Sequence, residues 1–279
     1  MKIKDILNTK DIDKNQIKLA LEQVLNLSSP EILLNRDKEL TKQEEKKYRK
    51  IEKKLKKGLP IQYITKKAYF YNDEYYVNKN TLIPRPETEI LIKDTQNLIK
   101  EKYQSKDIKI LDIGTGSGII AITLNKLNKN YQITATDISK KALKVAKKNQ
   151  KEKKTNIKFI KTDLYKNIND KFDILISNPP YIEENSNNVE KQVKENEPYL
   201  ALFGGKDGLD YYKSILKDIK KIIKKDHIIA FEIGENQGNK IKKLIKKEFP
   251  EDKITIKKDY NNHDRYIYAI SKNKNMNKK

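Results

Sequence analysis

From residue 107 onward the chain alternates short, Ile-rich apolar runs with longer stretches of helical period, and this alternation leaves few folds open to it. Ile108–Ile113, Tyr131–Asp137, Ile157–Leu164, Phe172–Ser177 and Ile228–Ile233 predict strands, while Gly118–Leu127, Ser139–Asn149, Leu209–Ile223 and Asn239–Phe249 predict helices. Ile174–Ile176 has no polar partner in its alternation, as expected of a strand buried on both faces. Repeated strand–helix units imply an α/β fold with a doubly wound, mostly parallel sheet. Ile254–Lys258 and Tyr266–Ser271 lack a clear helix between them and are predicted to pair antiparallel at an edge, completing a seven-stranded sheet.

The preceding residues have a different period. Residues 1–59 predict a small helical domain. Asp13 with Gln16 forms one capping signature, Ser29 before Pro30 a second, and Thr41 with Glu44 a third, whose helix runs to Gly58. Its thin apolar stripe (Tyr48, Ile51, Leu55) reads as a solvated face or as a docking surface for a partner. Over residues 60–83, Tyr69, Tyr71, Tyr75 and Val77 flank Asn72-Asp73, which predicts a connecting hairpin. The large domain is then expected over 84–272, opening with a helix whose first turn carries Pro86, Glu87 and Glu89. Residues 273–279 are expected to be a disordered tail.

Two sequence motifs fall at strand ends. Asn178-Pro179-Pro180-Tyr181 stops the strand Phe172–Ser177, because Pro179 has no N–H and Pro180 holds it out of the helical region. What remains is an Asn side chain, backbone carbonyls outside any ladder and an aromatic ring, a rigid acceptor cluster suited to an –NH2 group. Gly114-Thr115-Gly116-Ser117-Gly118 follows the first strand and opens its helix, and Asp137 ends the next strand, where a carboxylate can accept both hydroxyls of a ribose. A dinucleotide site wants glycine at position 119, and this chain has Ile119. The run Gly-x-Gly-x-Gly led by Asp112 suits S-adenosylmethionine better, with Asp112 expected to attract the cationic methionine end directly or through water. In a doubly wound sheet the first and fourth strands flank the switch point, so the glycine loop and Asn178 are predicted to be neighbours.

Composition removes other chemistries. There are no cysteines and only two histidines, His227 and His263, which excludes thiolate nucleophiles and Cys- or His-rich metal centres. No apolar run approaches the length of a membrane helix, and Met1–Asp5 lacks a signal-peptide core. A cytoplasmic monomer is expected, with no membrane partner. The net charge of +22 arises from Lys spread over every segment, with Arg scarce, and so predicts no specific nucleic-acid site. His263-Asp264-Arg265 reads as a turn before the last strand. Arg85 with Glu87 reads as an ion pair or as ligand contacts, and Glu232 as a residue lining the site or facing its rim.

The chain resembles the HemK-type release-factor glutamine methyltransferases over nearly its whole length. The resemblance rests on Ile83-Pro84-Arg85-Pro86-Glu87-Thr88-Glu89, the glycine loop, Asn178–Tyr181, Glu197-Pro198, Ala201-Leu202-Phe203-Gly204-Gly205 and Asp207-Gly208-Leu209. Two family glycines in the hairpin are replaced by Lys66 and Asn72. The resemblance implies a class I S-adenosylmethionine-dependent methyltransferase fold. It also implies methylation of the side-chain nitrogen of the glutamine in the Gly-Gly-Gln tripeptide of class-one peptide chain release factors. By that resemblance Gly114, Thr115, Gly116, Ser117, Gly118, Asp137, Leu164 and Asn178 contact the cofactor. Asn178, Pro179, Pro180 and Tyr181 contact the substrate glutamine, with Asn178 and Pro179 holding its N–H groups and Tyr181 packing over the amide. Asn-Pro-Pro-Tyr also serves exocyclic base amines, so an N6-adenine DNA or N2-guanine RNA methyltransferase is the alternative. A flipped base needs a recognition domain, whereas the extra residues here are the N-terminal helices.

Overall fold

The computed structural model describes residues 1–103, 107–187 and 189–272. Five helices come first: α1 (Ile3–Leu7), α2 (Lys14–Leu25), α3 (Ser29–Leu34), α4 (Lys42–Leu55) and α5 (Ile61–Thr65). They close around a core of their own that includes Ile3, Ile17, Leu21, Ile32, Tyr48, Leu55 and Ile61. Asp13 caps α2 through the N–H groups of Asn15 and Gln16, but the Gln16 side chain accepts from Ile61 N at 3.2 Å and so ties α2 to α5. The cap of α3 is Ser28, one residue before the predicted Ser29: Ser28 N donates to Glu31 at 2.7 Å, and the Ser29 hydroxyl turns to Glu22. Thr41 and Glu44 cap α4 reciprocally, as predicted. Past its end, Gly58 takes φ +79° and donates to Leu55 O.

The hairpin β1 (Lys67–Phe70) and β2 (Asp73–Tyr76) leads through α6 (Glu87–Lys102) into the alternating region. There β3 (Lys109–Ile113), α7 (Ile119–Leu127), β4 (Gln132–Asp137), α8 (Lys140–Lys153), β5 (Ile157–Lys161) and β6 (Phe172–Ser177) follow in turn. The short helices α9 (Lys191–Asn196) and α10 (Tyr199–Leu202) precede α11 (Asp210–Lys217), β7 (Ile223–Glu232), α12 (Gly238–Glu248), β8 (Lys253–Lys258) and β9 (Asp264–Ile270). The seven strands run in the order β5-β4-β3-β6-β7-β9-β8, with only the pairs made by β9 antiparallel. One face is covered by α6, α7 and the hairpin through Phe70, Leu91, Ile92 and Ile119–Leu124. The other is covered by α11 and α12 through Tyr212, Ile215, Ile241 and Ile245. No helix among the described residues is long and apolar enough to cross a membrane. The expected tail, 273–279, lies outside the described residues.

The predicted helix Leu209–Ile223 is shorter than its period suggests. It ends at Lys217, a 3-10 turn spans Ile219–Lys221, and β7 begins at Ile223 rather than Ile228. Ile219, Ile222 and Ile223 are all buried and lie at helical spacing, but Phe172 N donates to Ile222 O and Phe172 pairs with Ile223. The sheet ladder overrides the local pattern. Likewise β5 ends at Lys161, before the predicted Leu164, whose φ of +53° breaks the strand. Neither α9 nor α10 was predicted.

The hairpin keeps its turn without the two glycines. Tyr71 and Asn72 have φ of +51° and +57°, a primed turn of the kind that matches strand twist, and Lys66 takes φ +61° at the end of α5. Lys66 therefore carries a Cβ where the backbone is left-handed. Lys66→Gly is expected to stabilise the protein by about 0.5–1 kcal/mol, since relief of the Cβ clash exceeds the added unfolded-chain entropy. Urea denaturation checks this. The hairpin is pinned to α7 and α8 by Asp73, which accepts from Lys126 and, at 2.6 Å, from Lys153. Burial pushes the Asp73 carboxyl up, but the two ammonium groups outweigh it and hold it at about 2.

Candidate active site

The register of β3 against β6 decides where the site lies. Ile113 is opposite Ser177, and the Ser177 hydroxyl donates to Ile113 O at 2.6 Å. Gly114 and Asn178 therefore leave the sheet side by side, at the carboxyl ends where open α/β sheets bind ligands. A cavity of about 390 Å3 opens there, lined by Gly114–Ser117, Asp137, Leu164 and Asn178–Pro180. The predicted cofactor loop and the predicted acceptor corner thus share one space.

Within the loop, a Cβ on Gly114 would meet nothing within 4 Å, and one on Gly116 would meet only Gly114 O at 3.9 Å. Both have positive φ, +71° and +56°, so backbone shape requires glycine and the volume beside them is left for a ligand. Gly118 is different. It does not line the cavity, and its Cβ would lie 3.0 Å from Ala146 Cβ and 3.1 Å from Ile122 Cδ1. It serves close packing of α7 on α8. Thr115 and Ser117 line the wall, and Asn149 braces Ser117 from behind, donating to Ser117 O at 2.9 Å and to Tyr76 O at 3.0 Å.

Asp137 turns both carboxylate oxygens to backbone N–H groups, Oδ2 to Gly116 at 2.9 Å and Oδ1 to Ser139 at 2.8 Å. It therefore fixes the loop shape while lining the cavity, and burial raises its carboxyl above the ordinary range against these two bonds. Asp112, by contrast, is wholly buried and does not reach the cavity. Its position offers no direct contact with a ligand in the cavity: Asp112 Oδ2 accepts from the Thr115 hydroxyl at 2.6 Å and braces the loop. Thr136 also lines the cavity, and its buried hydroxyl has no partner among the described residues. Leu164 reaches the wall because its left-handed backbone turns the chain inward after β5.

The acceptor corner is built on a glycine cradle. Ile182 N donates to Leu202 O and Gly204 N to Ile182 O, which holds 181–183 against α10. A Cβ on Gly204 would lie 2.5 Å from Pro180 O, and one on Gly208 2.2 Å from Tyr181 O. Gln237 completes the lock, donating to Tyr181 O at 2.8 Å. Tyr181 itself does not line the cavity. Its hydroxyl lies 3.4 Å from both Glu232 Oε1 and Arg265 Nη1, which anchors the ring beside the corner. Asn178 Nδ2 donates to Thr88 Oγ1 at 3.1 Å, Thr88 Oγ1 donates to Glu232 Oε2 at 2.7 Å, and Asn178 Oδ1 has no partner among the described residues.

The mouth is apolar. Leu82, Pro84, Pro198, Tyr199 and Leu200 surround it, with Tyr199 58% and Leu200 61% exposed. Arg85 pairs with Glu197 at 2.5 Å rather than with Glu87, and Glu197 also accepts from Ile83 N at 3.0 Å. This tie holds the two sides of the mouth together. His263 is a surface residue whose Nδ1 lies 3.0 Å from Glu235, while Asp264 already belongs to β9.

Burial pushes the carboxyls of Asp112 and Glu232 up to about 7. Folded values above the unfolded ones mean that the native state binds more protons between about pH 4 and 7. The stability these groups lend is present in acid and lost as pH rises through 7. Between pH 5 and pH 8 the two carboxyls together are expected to remove on the order of a few kcal/mol. Denaturant titrations at the two pH values measure this, and Asp112→Asn should remove roughly half of the difference.

A seven-stranded sheet of this order, with a glycine loop after its first strand and a ribose-competent acid after its second, defines a class I S-adenosylmethionine-dependent methyltransferase. Residues 88–204 match the family model described as Methyltransferase small domain, and residues 2–65 match the PrmC N-terminal domain. The release factor glutamine methyltransferase of Bacillus cereus is 38% identical over 261 residues, 92% of each chain. That of Bacillus subtilis is 42% identical over 229 residues, 78% of each. The chain belongs to the release factor glutamine methyltransferase family. Among solved structures, the hMettl16 catalytic domain in complex with MAT2A 3'UTR hairpin 6 has a TM-score of 0.56 at 17% identity, covering 72% of this chain and 76% of that one. The T. Thermophilus 16S rRNA methyltransferase RsmC in complex with AdoMet and guanosine has a TM-score of 0.52 at 12% identity, over 74% and 50%. These two share the fold alone.

Proposed function

We propose that this chain transfers the methyl group of S-adenosylmethionine to the side-chain amide nitrogen of the glutamine in the Gly-Gly-Gln tripeptide of class-one peptide chain release factors. The observation that carries the reading is the common cavity: a glycine loop open to a ligand, and beside it an Asn whose Nδ2 is occupied and whose Oδ1 is not.

The residues present fit the cofactor. The cavity, about 390 Å3, is of the size that holds small ligands. The open side of Gly114 leaves room for close backbone approach by a ligand. Gly114, Thr115, Gly116 and Ser117 would hold the methionine and ribose parts along their backbone, Asp137 the ribose hydroxyls, and Ile138 and Leu164 the apolar face of the base. Gly118 supports this set from outside the cavity. When bound, the cofactor supplies an electrophilic methyl group on a sulfonium sulfur.

An amide nitrogen is a weak nucleophile because its lone pair is delocalised into the carbonyl. Asn178 Oδ1 and the Pro179 carbonyl would accept its two N–H groups, orienting the nitrogen and favouring pyramidalisation. Such fixed dipoles, in a site closed to water, lower a barrier by several kcal/mol. Pro180 shapes the corner and Tyr181 supports it from below. The apolar mouth admits a tripeptide whose glycines carry no side chain to clash with Tyr199 and Leu200. The N-terminal helices would dock the rest of the release factor, and the enzyme would act as a cytoplasmic monomer.

Parallel incubations with labelled cofactor test the substrate class. Label is expected in a purified release factor, and absent from one whose tripeptide glutamine is replaced by alanine. Label in duplex DNA or ribosomal RNA instead would support the exocyclic-amine reading and overturn this one.

A further inference from the structure

Thr88 and Glu232 are separated by most of the large domain in sequence, yet they meet behind Asn178. Thr88 stands in the first turns of α6 and lines the cavity wall, while Glu232 ends β7 and is buried behind it. A threonine hydroxyl has one proton to give. Here it is given to Glu232 Oε2 at 2.7 Å, so the oxygen can only accept from Asn178, at 3.1 Å. The other oxygen of Glu232 faces the Tyr181 hydroxyl at 3.4 Å, which in turn faces Arg265 Nη1 at the same distance. A guanidinium only donates. Tyr181 therefore accepts from Arg265 and gives its own proton to Glu232, and the direction of every bond in the chain is set from its buried end.

We infer that Thr88 and Glu232 are positioning residues that lock the side-chain amide of Asn178 in the one orientation that presents Oδ1 to the cavity. The inference deepens the proposed amide-methylation reading and rests on it for its consequence. A flipped Asn178 would set Oδ1 against Thr88 Oγ1, lone pair against lone pair, and would offer Nδ2 donors to a substrate group that is itself an –NH2. The carboxylate makes that state costly by claiming the threonine proton. Without it, the Thr88 hydroxyl can accept from Nδ2 in one orientation or donate to Oδ1 in the other, and the catalytic amide is held in neither.

Protonating Glu232 has the same effect as removing it, because a carboxylic acid no longer needs the Thr88 proton. The groups that face Glu232 are Thr88 and Glu87 from α6, Tyr181 from the corner, and Arg265 and Tyr266 from β9. From α11 the Tyr212 hydroxyl donates to its backbone carbonyl at 2.6 Å. Burial, the largest influence, raises the Glu232 carboxyl to about 7, against Thr88 and Arg265. Turnover is expected to fall as pH drops below that value.

Thr88→Val, Thr88→Ser and Glu232→Gln test the inference, with methyl transfer to a release factor and cofactor affinity measured on each. Thr88→Val should lower kcat by about 100-fold with KM and cofactor affinity nearly unchanged, as expected for lost orientation alone. Thr88→Ser, which keeps the hydroxyl, should restore most of it. Glu232→Gln should lower kcat and remove its acid limb. Wild-type kcat in Thr88→Val, or an acid limb retained in Glu232→Gln, would overturn the inference. The Asn178 side-chain N–H resonances, identified by their loss in Asn178→Ala, provide a readout that needs no substrate. Their exchange with water should quicken in Thr88→Val and stay slow in Thr88→Ser. Unchanged exchange overturns the lock, whereas a lock intact by this measure with no methylation of release factor overturns only the substrate reading.

Discussion

Replacing Asn178 with alanine lowers kcat by about three orders of magnitude, weakens cofactor binding far less, and leaves thermal stability close to wild type. The asymmetry follows from what holds the corner in place. Backbone atoms of 178–182 are fixed by Gln237, by the bond from Gly204 N to Ile182 O, and by the β6 ladder behind them. None of these uses the Asn178 side chain. Its truncation removes one acceptor for the substrate N–H and leaves the Pro179 carbonyl where it was. Loss of a preorganised hydrogen-bonding group at a reacting centre costs about 100- to 1000-fold in turnover, and here the weak nucleophile depends on both acceptors. Single-turnover transfer at saturating cofactor, with calorimetry for affinity, checks the split. A variant that binds cofactor tightly and still turns over at the wild-type rate would remove Asn178 from the chemistry.

Gly208→Ala is the change with the largest expected structural effect. Gly208 has φ +68°, and a Cβ there would stand 2.2 Å from Tyr181 O and 2.4 Å from Gln237 Nε2. Backbone strain and overpacking together cost about 2–4 kcal/mol. The clash falls on the bond that holds Tyr181 O, so the corner is displaced and methyl transfer is lost along with stability. Gly114→Ala gives the contrast. With no atom within 4 Å of the added Cβ, it escapes the clash and costs only the left-handed backbone strain, about 1–2 kcal/mol, while it should lose cofactor affinity more, since the space it fills is the ligand's. Denaturation midpoints and cofactor dissociation constants for the two variants should therefore move in opposite proportion.

The parts of this molecule that the sequence makes legible are those whose cause is local. A strand that runs into two prolines must stop, glycines after a strand must turn, and Asn72-Asp73 between tyrosines must be near a hairpin tip. The switch-point argument then placed Gly114 beside Asn178 without coordinates, and the register Ile113 to Ser177 bears it out. What escaped the sequence depends on contacts made across the fold. Ile219, Ile222 and Ile223 satisfy a helical period and a buried strand equally well, and only pairing with Phe172 decides between them. The Thr88–Glu232 contact joins the start of α6 to the end of β7, and no periodicity encodes it. The contacts of the Tyr181 hydroxyl with Glu232 and Arg265 were also hidden, because they come from strand ends distant in the chain. Lys66 and Asn72 show the converse: the left-handed conformation persists without glycine because the turn is held by the ladder and by Asp73. Arg85 was read with its near neighbour Glu87, whereas its partner Glu197 lies on the opposite lip of the mouth.

The most direct test of the account is to locate the transferred methyl group. A purified class-one release factor incubated with this enzyme and isotopically labelled S-adenosylmethionine, then digested and sequenced by tandem mass spectrometry, should carry the label on the side-chain nitrogen of the Gly-Gly-Gln glutamine. Label on a lysine, an arginine or the peptide backbone would mean that the corner formed by Asn178 and Pro179 does not receive a carboxamide, and would contradict the account at its centre.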